Sequence, residues 1–413
     1  MSEPQNKGTV AEDAPPGVDD LFPPEMRANP YPVYQQLREN APVFDTGSGL
    51  WLITSYRYCH ELLRDERCSK NLRNMSDYER NMELAGRTER IRTLLGQLMS
   101  FSDPPDHTRL RGLVQRAFSP RMVEGLRPRA IELASELLDA AAGEGEIELI
   151  EDFASRFPLR VIAEMLGVPA ADRTRFTRWS RDLAPTFELV LPPGAAEPAE
   201  QAAGEFIEYF RQLMDERARE PREDLVSALV HARDEGRRLA AQELVVNLIL
   251  ILGAGHHTAM HMIGNGVLAL VRHPDQLALL RDRPEIGEDA IEEMLRYESP
   301  VQLTTRFPTA EIKIGGQTIP AGDRIAIMLA AGNRDPDRFP DPDRLDLARG
   351  DRSHLAFGGG IHYCLGNALA RMEAGIAFRA LLDRFPRIEL ATDSPEYDAT
   401  VLLRGLKSLP LAV

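Results

Sequence analysis

Cysteine is scarce: Cys59, Cys68 and Cys364 are the three in 413 residues. An odd, small number in so long a chain excludes the disulfide framework of a secreted scaffold and fits a reducing cytosol. Positive charge is also in deficit, with 49 Lys and Arg against 64 Asp and Glu, a net charge of −15. That balance excludes the broad basic face of a nucleic-acid binder. Long apolar runs are missing too, since the longest, residues 244–252, is interrupted by Asn247 and is too short to span a bilayer. The N-terminus lacks the charged and then apolar order of a secretion signal. We therefore expect a cytoplasmic protein with neither membrane nor nucleic acid as a partner.

What the sequence does hold is enough hydrophobic material, 43%, for a large core. Helix formers dominate residues 122–281 and the stretch after residue 368, while short alternating pieces such as those around Val43 and residues 50–53 read as strands. The expected class is mainly α with a minor β part. Residues 1–20 are rich in Pro and acids with few apolar positions, the composition of a disordered tail.

The densest local signal is FGGGIHYCLG, residues 357–366. It places Cys364 in a glycine-rich bend, with Phe357, Gly358 and His362 before it and a helical pattern after it. Such a bend lets backbone amides and a helix N-terminus converge on the sulfur and favour thiolate, the form that ligates a metal. The competing reading is a buried free cysteine acting as a small apolar residue.

Other segments carry weaker signals. His107 and Arg111 stand at i and i+4 in a helix opened by Pro104 and Pro105, so two donors share one face and can hold a carboxylate. Residues 241–272 form the longest apolar helical pattern, and their centre reads GAGHHTAMH. Gly253, Gly255 and Thr258 predict a kink or opened turn there, with Ala254 and Thr258 on one face. Glu293 and Arg296 pair at i, i+3 ahead of Pro300. Beyond it, VQLTTRF alternates as a strand, placing Gln302 and Thr304 on the same face as Arg306. The arginines at 73, 80, 87, 90 and 92 read as a solvated loop, and the proline-rich residues 189–200 as a hinge. His257 and His261 have zinc-ligand spacing, which raises a zinc hydrolase as a distant alternative. The glutamate of the hydrolytic motif is missing, since Thr258 stands in its place.

Phe357, Gly360, His362, Cys364 and Gly366 together resemble the haem-binding signature of the cytochrome P450 family, F-x-x-G-x-(basic or His)-x-C-x-G. The resemblance covers nearly the whole chain after about residue 20 and implies one catalytic domain over residues 21–413. It implies haem b ligated by Cys364, dioxygen as co-substrate, and no flavin of its own. It also implies haem carboxylates held by His107, Arg111, Arg306 and His362, and Thr258 delivering protons during oxygen activation. His257 occupies the position of the family's usual acid, so the expected acid–alcohol pair becomes His–Thr, with His257 as a relay. Glu293 and Arg296 are implied to join Arg344 in a buried network.

Leu250, Ala254, Gln302, Leu303, Thr304 and Leu402 are the expected substrate contacts. The implied reaction is hydroxylation or epoxidation of an apolar small molecule, a bacterial polyketide, terpenoid or peptide; oxidative coupling or cyclisation without oxygen insertion is the alternative. Electrons are expected from a ferredoxin or flavodoxin with an NAD(P)H-dependent reductase, and the arginines near residue 87 leave room for a carrier-protein-bound substrate.

Overall fold

The computed structural model describes residues 23, 26, 28–141, 145–232, 240–398 and 400–413; the expected tail over residues 1–20 lies outside them. Eight longer helices frame the site: α1 (Asp106–Ala117), α2 (Pro120–Ala141), α3 (Arg156–Leu166), α4 (Arg173–Leu183), α5 (Ala196–Arg219), α6 (Ala241–Arg272), α7 (Gly287–Tyr297) and α8 (Asn367–Arg384).

Helix α6 is the central rod, about 48 Å long at 1.5 Å per residue. It is long and apolar enough to cross a membrane by composition, yet most of it is buried among α3, α5, α7 and α8. A helix apolar all round is what a core position requires. Glu243 starts it by accepting a hydrogen bond from the Ala240 amide at 2.9 Å. Asn247, the polar break in the apolar run, is buried and satisfied: it donates to the Glu243 carbonyl at 2.7 Å and accepts from the Met99 amide at 3.1 Å.

The glycines of α6 also serve close packing. The helix is continuous, and a Cβ on Gly253 would lie 2.6 Å from the Phe187 ring, one on Gly255 3.0 Å from Ile162. The glycines let neighbouring side chains approach.

The sheet part is small. Its main sheet runs β1 (Val43–Asp45), β2 (Leu50–Ile53), β8 (Arg324–Ile327), β5 (Thr304–Pro308), β3 (Cys68–Ser69). β1 and β2 form the expected hairpin, with Val43 opposite Ile53; β2 runs parallel to β8, and β5 antiparallel to it with Arg306 opposite Ile325. Two smaller sheets complete the set: β4 (Glu146–Glu148) and β9 (Glu389–Leu390) flank β10 (Pro410–Ala412), and β6 (Ile312–Ile314) pairs with β7 (Gln317–Ile319). The hinge expected over residues 189–200 is shorter than the prolines suggest, because α5 begins at Ala196 and tolerates Pro198 in its first turn. The connection before it rests on the loop after residue 84, where the Leu191 amide donates to the Ala85 carbonyl at 2.9 Å.

Candidate functional site

The Cys364 bend is built by two left-handed glycines, Gly358 (φ 69°) and Gly360 (φ 65°). A Cβ on Gly360 would sit 2.3 Å from the Leu63 carbonyl oxygen, so only glycine lets the loop lie against that neighbour. The turn closes through the Cys364 amide, which donates to the Phe357 carbonyl at 2.9 Å. Asn367, the first residue of α8, donates to the Cys364 carbonyl at 2.7 Å. Burial pushes the Cys364 thiol up, while the Gly366 amide and the Arg111 and Arg371 guanidiniums pull it back toward thiolate.

The bend opens on a large cavity of about 370 Å³, lined by residues of α1, α6, β5 and α8. One wall is helix α6, contributing Leu250, Ala254 and Thr258; the Thr258 hydroxyl donates to the Ala254 carbonyl at 2.7 Å. At one end stand His107 and Arg111 from α1, Arg306 from β5 and His362 from the bend. The two imidazoles are in ring contact, 4.3 Å between centroids, and Arg111 Nη2 is anchored on the Tyr363 carbonyl at 2.6 Å. Burial and then the neighbouring cations hold both imidazoles neutral, His362 down to about 2. A thiol facing a cavity whose end carries the buried Arg306, the half-buried Arg111 and two imidazole donors, none of them in an ion pair with a carboxylate among the described residues, fits haem, whose iron takes a soft thiolate and whose edge carries two carboxylates.

Of the expected substrate contacts, Leu250, Ala254 and Thr304 line this cavity. Three others do not. Gln302 is buried elsewhere, accepting from Tyr34 Oη at 3.0 Å and donating to the Ser299 carbonyl at 2.6 Å. Leu303 and Leu402 pack in a separate apolar cluster with Tyr34 and Met328. Val301, not anticipated, lines the cavity instead.

His257 is also absent from the cavity wall. Its Nε2 lies 3.5 Å from Ser180 Oγ on α4. Next to it His256 Nε2 contacts the Ser155 carbonyl at 2.7 Å, which makes that nitrogen the donor, so Nδ1 accepts from Ser180 Oγ at 2.7 Å. This chain of donors ends on a carbonyl. His261 approaches Asp398 at 3.8 Å, and among the described residues no cluster of three metal-ligating side chains exists.

The buried network behind the bend differs in one member from the expectation. Glu293 receives Arg296 at 2.7 and 2.8 Å, and its other cation is Arg349, 3.2 Å from both oxygens. Arg344 is exposed and contributes only its carbonyl, which accepts from Arg296 at 3.2 Å. A second brace escaped the sequence reading: Glu292 accepts from His354 at 2.9 Å and from Arg371 of α8 at 2.5 Å. Arg371 in turn lies 4.5 Å over the Phe357 ring.

Fold and site thus define a haem-thiolate oxidoreductase with its cofactor between α6 and the Cys364 bend. Comparison with known proteins gives the family. The family model described as Cytochrome P450 matches residues 285–406. The chain is 42% identical to cytochrome P450 monooxygenase PikC of Streptomyces venezuelae, over 98% of this chain and 96% of the relative. It is 40% identical to 6-deoxyerythronolide B hydroxylase of Saccharopolyspora erythraea, over 95% and 98%. Among solved structures, P450BioI bound to hexadec-9Z-enoic acid ligated acyl carrier protein superposes with a TM-score of 0.87 at 36% identity, covering 94% of this chain and 99% of the other. The chain belongs to the cytochrome P450 family. It is a bacterial P450 monooxygenase that uses haem b and dioxygen.

Proposed function

We propose that this monooxygenase hydroxylates or epoxidises an apolar small molecule in the tailoring of a bacterial natural product, with a polyketide as the first substrate class. The observation that carries the reading is the cavity wall itself: Met99, Ile162, Leu250, Ile251, Ala254 and Val301 offer aliphatic surface next to the Cys364 bend. Such a wall binds by excluding water, and orients through the few polar groups beside it. The names of two relatives, 6-deoxyerythronolide B hydroxylase and a polyketide biosynthesis cytochrome P450, support the same class.

In this reading haem b supplies oxygen activation at an iron ligated by the Cys364 sulfur. His107, Arg111, Arg306 and His362 orient it by its carboxylates. The Thr258 hydroxyl, one helical turn from Ala254, handles protons at the cavity wall. His257, which faces Ser180 and not the cavity, has no contact among the described residues through which it could relay protons to Thr258, and Glu293, Arg296 and Arg349 keep the loop in place. Residues 21–413 work as one domain in the cytoplasm. Electrons come from a ferredoxin or flavodoxin and its NAD(P)H-dependent reductase. The acyl carrier protein in the P450BioI structure supports a carrier-bound form of the substrate as well as a free one.

The test is a spectral titration of the ferric protein with macrolactones, steroids, terpenoids, peptides and carrier-bound acyl chains, followed by product mass. A saturable spin-state shift with a macrolactone, and a product one oxygen atom heavier, are expected. A product lighter by two hydrogens would replace insertion with oxidative coupling, and a shift only with another class would overturn the polyketide assignment.

A further inference from the structure

Lys70 follows β3, and its main chain is fixed by Asp103. That carboxylate accepts from the Lys70 amide at 3.0 Å and from Ser69 Oγ at 2.5 Å, so both oxygens are engaged by the loop and not by the ammonium. The side chain runs past the Phe101 ring, with Nζ 5.1 Å from its centroid. It then enters the cavity wall at the end where His107, Arg111, Arg306 and His362 stand.

Nζ has one hydrogen-bond acceptor there, Thr304 Oγ1 at 3.2 Å, and the same hydroxyl accepts from Arg306 Nη1 at 3.2 Å. No carboxylate among the described residues lies within ion-pair distance of either cation. Arg306 Nη1 also donates to the Thr305 carbonyl at 2.9 Å, and Asp103 acts on both cations only from beyond ion-pair distance, so two desolvated cations share neutral oxygens with their charge only partly offset, whereas buried charge is normally paired. Burial, and then Arg306, push the Lys70 ammonium well below its ordinary pKa. An anion placed between the two would relieve both costs.

We infer that Lys70 is a further ligand of the haem carboxylates, sharing one of them with Arg306 across the Thr304 hydroxyl. The inference rests on the reading that this end of the cavity takes those carboxylates. A substrate carboxylate is the other source of the same chemistry.

The experiment uses the haem-loaded protein as wild type, Lys70→Met, Lys70→Arg and Arg111→Met. It measures the rate of haem transfer to excess apomyoglobin, the midpoint reduction potential without substrate, and the spectral binding of matched carboxylate-bearing and neutral small molecules. Lys70→Met is expected to lose haem roughly tenfold faster, the scale of one charge-assisted hydrogen bond. Its potential is expected to be more negative, because a cation that favours the reduced centre has gone. Lys70→Arg is expected to restore both, which separates a lost charge from a loosened loop.

Faster loss in Arg111→Met with Lys70→Met unchanged would overturn the role of Lys70 alone. No change in either variant would overturn the carboxylate reading of this whole end. Unchanged haem transfer in Lys70→Met, together with selective loss of binding for carboxylate-bearing substrates, would assign the anion to the substrate and overturn the inference.

Discussion

Arg344 and Arg349 are five residues apart, and a motif reading picks the first while the fold uses the second. Arg349 stands 3.2 Å from both Glu293 oxygens, whereas the Arg344 side chain is exposed. Removing one of two cations from a buried carboxylate that keeps the other costs about 1.5–3 kcal/mol, while truncating an exposed side chain costs within about 0.5 kcal/mol. Arg349→Ala is therefore expected to lower the thermal midpoint of the haem-loaded protein by several degrees, and Arg344→Ala to leave it unchanged. The opposite order in thermal melts would restore the motif reading. The family resemblance implies that a later arginine joins Glu293 and Arg296, but the loop between residues 340 and 349 folds back on itself through non-periodic turns, so spacing alone does not say which one arrives. Cys364 was legible for the contrary reason: its glycines and helix start are all within ten residues, and local chemistry fixes the bend.

At the scale of elements, α7 and α8 are joined by a brace no pattern announces. Burial alone would raise the Glu292 carboxyl, but the hydrogen bonds from His354 and Arg371 outweigh it and hold it at about 2. A carboxyl depressed by folding contributes stability that is present above its unfolded value and lost as pH falls through the folded one. The loss from this group should therefore run from the ordinary Glu range near 4.5 down to about 2. Acid unfolding followed by circular dichroism is expected to show a shallower pH dependence across that window in Glu292→Gln than in wild type, together with lower stability at neutral pH. Parallel curves would remove the brace from the account. The same scale explains the misplaced Gln302: β5 begins at Thr304, so the alternation that correctly sets Thr304 and Arg306 together does not extend back into the irregular segment before it.

For the whole molecule, composition and periodicity were enough for the class, mainly α with a small sheet, because long amphipathic and apolar stretches carry their own period. Which side chains face the cavity was less legible. Leu303 and Leu402 are apolar and near the right elements, yet they fill a separate cluster with Tyr34; hydrophobicity marks burial and does not distinguish core from cavity wall. The zinc reading fails at this scale as well, since His257 turns to Ser180 and His261 to Asp398.

The claim on which everything else depends is that Cys364 is the iron's ligand. The most direct measurement is the spectrum of the reduced carbon monoxide complex, recorded for wild type, Cys364→Ser and, as a control for the other cysteines, Cys68→Ser. Wild type and Cys68→Ser are predicted to show the red-shifted thiolate-type band, and Cys364→Ser to lose it while still binding haem. A thiolate-type band that persists in Cys364→Ser would contradict the account.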